Sequence, residues 1–339
     1  MSFLKLFFKK TSSLLFTLFF LSLLVFLLIH LLPGDPAKIM LGERATEESL
    51  KAVRIQLGLD KPLYQQYFSF LKDLAINQNL GTSIKSGELI STEIKRKFPA
   101  TLELTFIALF ISSFFGVILG IIAAIKRGTR WDFSTMFLAL AGVSMPVFWL
   151  ALLLIWFFSI KLQWLPITGR IDPLIDFDSK NYFYLLETLM SGNFEALKSS
   201  LKHIVLPACA LATIPMSMTA RFTRATMLET LGQDYIRTAK AKGLNPLLVI
   251  FKHALRNALI PIITVVGLQF GSLLGGAIIT ESIFSWPGVG TWLLDSIYAR
   301  DFPAMQGAIL MIGASFIIIN YLVDLSYLVI DPKLRKSTS

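Results

Sequence analysis

Six apolar stretches, residues 14–32, 99–125, 133–160, 204–220, 258–279 and 304–329, divide this chain of 339 residues. Each reaches the roughly 17 to 25 residues that a tilted helix needs to cross about 30 Å of hydrocarbon. A backbone in that medium must satisfy its own amides and carbonyls, so runs of this length span as helices. The prediction is an all-α integral membrane protein with six transmembrane helices. Composition agrees: 16% of the residues are charged and the mean hydropathy is +0.65, whereas soluble chains are about 25% charged. The fourth run is the shortest and contains Pro207 and Pro215, which membrane helices tolerate where neighbours satisfy the freed carbonyls.

Lys5, Lys9 and Lys10 precede the first run, as in a secretory signal. The run is longer than a signal's apolar region and ends in Leu32-Pro33-Gly34-Asp35 with no small-x-small cleavage site, so residues 14–32 are expected to remain as the first span. Basic residues then set the orientation. Residues 1–13, 126–132, 221–257 and 330–339 carry a basic excess, while residues 33–98, 161–203 and 280–303 together carry none. The positive-inside rule puts the first set, both termini included, in the cytoplasm. The net charge of +10 therefore answers to membrane topology and the lipid bilayer, with no nucleic-acid partner expected.

Residues 33–98 are expected to form a small helical extracytoplasmic insert. Thr46, Glu47 and Glu48 open one helix, with Leu50, Val53 and Leu57 on a face and Gly58 at its end; Pro62 opens another that carries Tyr67, Phe68, Leu71 and Leu74. In residues 161–203, Trp164 joins Trp149 near one membrane face, where aromatics anchor helices. Asp172, Asp176 and Asp178 read as a solvated loop, or as a contact for a substrate-delivering protein or a cationic substrate terminus.

The stretch from Asp234 to Pro261 is too polar for a span. Asp234 suits a helix N-terminus, Lys240 and Lys242 suit its end, and Gly243 can take the left-handed conformation that stops it. Asn245 and Pro246 then read as an N-cap with proline at the first helical position, opening a second helix toward Asn257. Leu247, Phe251, Ala254 and Ala258 are expected on one face of it, with Lys252 and Arg256 turned away. The result is a corner between two short helices.

That corner resembles the cytoplasmic coupling loop of ABC importer permeases, Glu-Ala-Ala, three residues, then Gly, at Arg237, Thr238, Ala239 and Gly243. The departures at Arg237 and Thr238 are similar to the dipeptide and oligopeptide permease branch, which reads RTAKAKGL at 237–244 and HALRNALIP at 253–261. LPGDPA at 32–37, LGLDKPL at 57–63, NLGTS at 79–83, PATLEL at 99–104, SMPVFW at 144–149, ESIFSWPGVG at 281–290, RDFPAMQG at 300–307 and NYLVDLSY at 320–327 extend the likeness along nearly the whole chain. The resemblance implies the type I ABC importer transmembrane fold over residues 99–329, with a coupling loop at 221–257. It implies a permease subunit that moves dipeptides or short oligopeptides across a bacterial inner membrane by alternating access. The implied partners are a homologous second permease, two ATP-binding subunits and an extracytoplasmic substrate-binding protein, with ATP and Mg on the ATPases and no cofactor on this chain. Systems of the same branch carry nickel, haem, antimicrobial peptides or glycosides. Asp234, Tyr235, Ile236, Arg237, Ala239, Lys240, Gly243, Leu244 and Leu247 are the implied ATPase-coupling residues.

Catalytic signatures are missing: the chain has no GxxxxGK[ST], HExxH or GxSxG. Cys209 is the sole cysteine and His30, His203 and His253 lie on separate segments, so no metal site is expected. Glu103, Gln269, Asn320 and Asp324 lie in or near spans, where polar groups face a bundle interior or a water-filled path. For Glu103 and Asp324, pairing with a neighbouring Arg or with backbone suffices. Ser144, Met145, Pro146, Pro215 and Met216 are expected to break two central helices and, with Gln269 and Asn320, to line a translocation path or simply to pack. An intramembrane enzyme would need paired catalytic spacing, and an ion-driven transporter more buried carboxylates and an inverted repeat.

Overall fold

The computed structural model describes residues 3–31, 36–41, 45–56, 58–77 and 79–330. The expected place of Leu57 on its helix face, residues 32–35 at the end of the first run and the tail beyond 330 lie outside them. Among the described residues the chain is helical: α1 (Phe3–Leu31), α2 (Pro36–Leu41), α3 (Glu47–Gln56), α4 (Leu63–Ala75), α5 (Ile90–Ile125), α6 (Arg130–Ser144), α7 (Val147–Lys161), α8 (Tyr184–Met190), α9 (Phe194–Leu231), α10 (Asp234–Ala241), α11 (Pro246–Ile283), α12 (Val289–Tyr298) and α13 (Phe302–Ile330). Five of them, α1, α5, α9, α11 and α13, are each long and apolar enough to span. The sixth span is the pair α6 and α7, bent by 104° at Met145 and Pro146. Proline disfavours the helical region for the residue before it, and Met145 is extended at φ −100°, ψ 134°.

Pro215 behaves differently. It and Pro207 both sit inside an unbroken α9 of 38 residues, so Pro215 and Met216 do not break a helix as expected. Pro207 and Pro215 are buried against neighbouring helices, the setting in which a membrane helix absorbs proline. The spans also run further than hydropathy alone suggests: α5 begins at Ile90, and α9 continues to Leu231.

Two close helix crossings hold the bundle. α5 lies along α9 with Gly116 and Gly120 at the contact; a Cβ on Gly116 would meet Thr219 Cβ at 2.7 Å, and one on Gly120 would meet the Ala220 carbonyl at 2.6 Å. Gly267 and Gly271 of α11, with the same spacing, would likewise meet Val323 and Phe316 of α13 at 2.8 Å. Lipid offers helices no hydrophobic drive to associate, so small residues that let backbones approach supply the packing. Around these crossings Leu104, Ile204, Leu211, Leu273 and Trp286 form a buried cluster.

The insert is tied down at two points. Tyr67 of α4 is buried among Phe19, Phe26 and Phe70, with its hydroxyl 3.0 Å from Ser22 of α1. Phe70 packs on Tyr67, while Phe68 is exposed. A short turn then pairs Thr82 with Leu89, and the Ser83 hydroxyl donates to buried Asp301.

Candidate coupling elbow

At the other end of α5 from the insert, Gly232 caps α9, and Asp234 opens α10 as the sequence predicts. Gly243 ends the turn at φ +70°, a conformation only glycine adopts without strain. The Asn245 side chain accepts the Leu247 amide at 2.9 Å, and Pro246 occupies the first helical position. The second helix is not a separate short element, however. It runs through a π-helical turn at Val249–Leu255 straight into the fifth span. The elbow is thus rigidly continuous with a transmembrane rod.

The extra residue per turn also moves the faces. Val249, Ala254 and Ala258 are buried, while Leu247 and Phe251, expected beside them, are exposed. Ile236 and Ala239 join Val249, Ala254, Met227 and Ile121 in one apolar cluster. Ile236 is 0% exposed; fully burying such a side chain contributes about 1.5–3 kcal/mol. These two residues therefore fasten α10 to the bundle and offer no outer surface. Asp234, Arg237, Lys240 and Lys242 are exposed, as are Tyr235 at 42%, Leu244 at 38% and Leu247 at 63%. Asp234 and Arg237 approach to 3.3 Å, and Asn257 donates to the Tyr235 hydroxyl at 2.8 Å, a second tie between α10 and α11. Sequence reasoning left out Leu248, which is also exposed. Arg224 of α9 grips Asp132 of α6 through two hydrogen bonds of 2.8 Å beside this elbow-side end.

The residues expected on a path separate into two groups. Ser144 and Pro146 are exposed at the bend with Met145 half-buried, while Pro215 is buried within α9 and the Met216 carbonyl faces Gly116 of α5. Gln269 is buried and accepts the Thr219 hydroxyl at 3.2 Å; Asn320 faces Gly271 on α11. Gln269 Nε2 and Asn320 Oδ1 have no hydrogen-bond partner among the described residues.

The two acids singled out in the spans, Glu103 and Asp324, are each paired with a cation. Lys10 of α1 sits 3.0 Å from Asp324 of α13. Glu103 of α5 is bound by Arg170, whose guanidinium also lies 4.2 Å from the Tyr184 ring centre. Burial pushes the Arg170 guanidinium below its ordinary value, against the pull of Glu103. Asp172, Asp176 and Asp178 are all exposed. Glu281, which sequence reasoning did not single out, is fully buried and accepts the Thr101 hydroxyl at 2.6 Å and the Thr291 amide at 3.1 Å.

Membrane-length helices, a glycine-cornered elbow fused to a span and a helical insert together define a multi-pass membrane protein. The profile for the binding-protein-dependent transport system inner membrane component matches residues 116–336, and that for the N-terminal part of the same components matches residues 3–105. The chain belongs to this family, the permease subunits of ABC importers with the type I fold. It is 48% identical over 328 residues to the di/tripeptide transport system permease protein DppB of Pseudomonas aeruginosa, covering 96% of this chain and 97% of that one. It is 47% identical to the dipeptide transport system permease protein DppB of Alkalihalophilus pseudofirmus, over 93% and 94% of the two chains. The Escherichia coli protein of the same name is 44% identical, again over 93% and 94%.

Proposed function

We propose that this permease moves dipeptides and short oligopeptides into the cytoplasm, driven by ATP hydrolysed on partner subunits. The observation that carries the substrate class is the identity, sustained over more than nine-tenths of both chains, to permeases named for dipeptide and di/tripeptide transport. Two ATPase subunits dock on the elbows of this chain and of a homologous second permease, and an extracytoplasmic binding protein delivers the peptide. ATP and Mg belong to the ATPases; this chain catalyses nothing. The basic excess in 221–257 supports a cytoplasmic elbow and cytoplasmic termini.

Alternating access needs a large bias. Shifting a two-state permease from 1:99 to 99:1 takes about 5.5 kcal/mol of differential interaction, and an exposed ion pair supplies about 0.2–1 kcal/mol. Arg237, Lys240 and Asp234 therefore orient the ATPase, while the apolar surface of Tyr235, Leu244 and Leu247 carries more of the contact. Ile236 and Ala239 pass the motion inward through their buried cluster, and Gly243 fixes the corner. Ser144, Met145, Pro146, Pro215, Met216, Gln269 and Asn320 form the wall of the path at and below the bend.

The test is reconstitution with both ATPases, the second permease and the binding protein. Gly243→Pro, which forces φ near −65°, and Leu244→Asp are expected to accumulate in the membrane yet lose peptide uptake and ATPase stimulation. Normal transport by both variants removes the elbow from the mechanism. Failure of the binding protein to take up dipeptides removes the substrate assignment and leaves the coupling intact.

A further inference from the structure

On the insert-side end of the bundle, the outward face of α9 and Leu165 enclose a groove of about 350 Å³ lined by Phe194, Leu197, Leu201, Val205 and the stems of Lys198 and Lys202. Its floor is apolar, and Phe194 and Leu201 are exposed. Both lysines are exposed, one helical turn apart, and neither has a carboxylate at ion-pair distance among the described residues. They stand just above Ile204, where the apolar part of α9 begins. At 1.5 Å per residue that puts them about 3 and 9 Å beyond it. The end of α7 marks the same level, with Trp156 and Trp164 exposed and Lys161 stacked 5.2 Å from the Trp156 ring centre. Exposed tryptophans and lysines at a span end identify the headgroup layer.

The geometry points to a binding site for an anionic phospholipid, its phosphate between the Lys198 and Lys202 ammonium groups and an acyl chain in the groove. Charge complementarity selects the occupant. A zwitterionic lipid would fill the apolar floor but bring its own headgroup cation to the phosphate level, against the two ammonium groups, whereas an anionic headgroup meets both with uncompensated negative charge, and each basic residue near a membrane surface favours anionic lipid measurably. The site rests on the membrane embedding of the chain and not on its substrate or its partners.

Native mass spectrometry of the purified full chain, titrated separately with phosphatidylglycerol and phosphatidylcholine, tests this. The unaltered chain is expected to retain phosphatidylglycerol about thirtyfold better, the order given by two lysine contacts. Lys198→Gln combined with Lys202→Gln should reduce the preference below about twofold, while Lys51→Gln with Lys72→Gln, on the insert, should keep it. Leu201→Glu, an exposed position, should lower retention of both lipids. Displacement of the bound lipid by millimolar inorganic phosphate, equal retention of the two lipids by the unaltered chain, or a persistent preference in the lysine variant would each overturn the assignment.

Discussion

The Ser83 hydroxyl donates to the Asp301 carboxylate at 2.6 Å, across 218 residues of sequence. The same carboxylate oxygen accepts the Lys85 amide at 3.0 Å, and its other oxygen accepts the Ala304 amide at 3.2 Å at the start of α13. One buried acid thus docks the insert and opens the last span. Asp301→Ala leaves these donors unpaired, at a cost of about 1–3 kcal/mol. Amide exchange over residues 79–89 is expected to accelerate about tenfold or more, the factor that 1.4 kcal/mol represents, while α5 and α9 keep their protection.

Thr101 plays a comparable part between α5 and α12. It donates to Glu281 at 2.6 Å and accepts the Val289 amide at 2.8 Å, beside the Trp286 indole that donates to the Ala100 carbonyl. Thr101→Val keeps the shape and strands both partners, so thermal unfolding in detergent should shift down by the equivalent of about 1–3 kcal/mol. Thr101→Ser should restore most of the loss. Equal melting of the two variants would show that the hydroxyl does not hold this junction.

Helix spacing gives a sharper contrast. A Cβ on Gly120 would meet the Ala220 carbonyl and Thr223 at 2.6 Å, whereas one on Gly275 would have nothing within 4 Å. Gly120→Leu is expected to abolish folded protein in the membrane, because overpacking a tight crossing costs about 1–3 kcal/mol or more. Gly275→Ala should accumulate normally, as read by size-exclusion profile.

In the elbow, burial decides which substitution unfolds and which uncouples. Ile236→Asp places an unpaired charge in the Val249 and Ala254 cluster and is expected to unfold the elbow-side end. Leu247→Asp, at an exposed position, should stay within about 0.5 kcal/mol of the original stability while ATPase stimulation falls about tenfold, the change that 1.4 kcal/mol of lost contact produces. Limited proteolysis near Gly243 distinguishes the two, since only the first should become sensitive.

Much of the architecture was legible in the order of residues. Each predicted span has its helix or bent pair, and the stop at Gly243 and cap at Asn245 stand where local chemistry put them, because backbone conformation there depends on two or three adjacent residues. An Arg partner for Glu103 was expected too, although Arg170 comes from a distant segment, whereas Asp324 pairs with Lys10 of the first span and not with an Arg. The Gly116 and Gly120 spacing carried a signal for close packing that sequence reasoning passed over.

What the sequence by itself determined is where the chain enters lipid, which segments carry the basic charge and where the elbow turns, since hydropathy, charge and capping act over one helix or less. Only the tertiary structure decided that Pro146 breaks its span while Pro215 does not, that Ile236 is an anchor and Leu247 a surface, and that Glu281 is buried. Those outcomes depend on which neighbour covers a freed carbonyl, an apolar side chain or a charge, and a neighbour on another helix is set by packing between segments that the linear pattern does not contain.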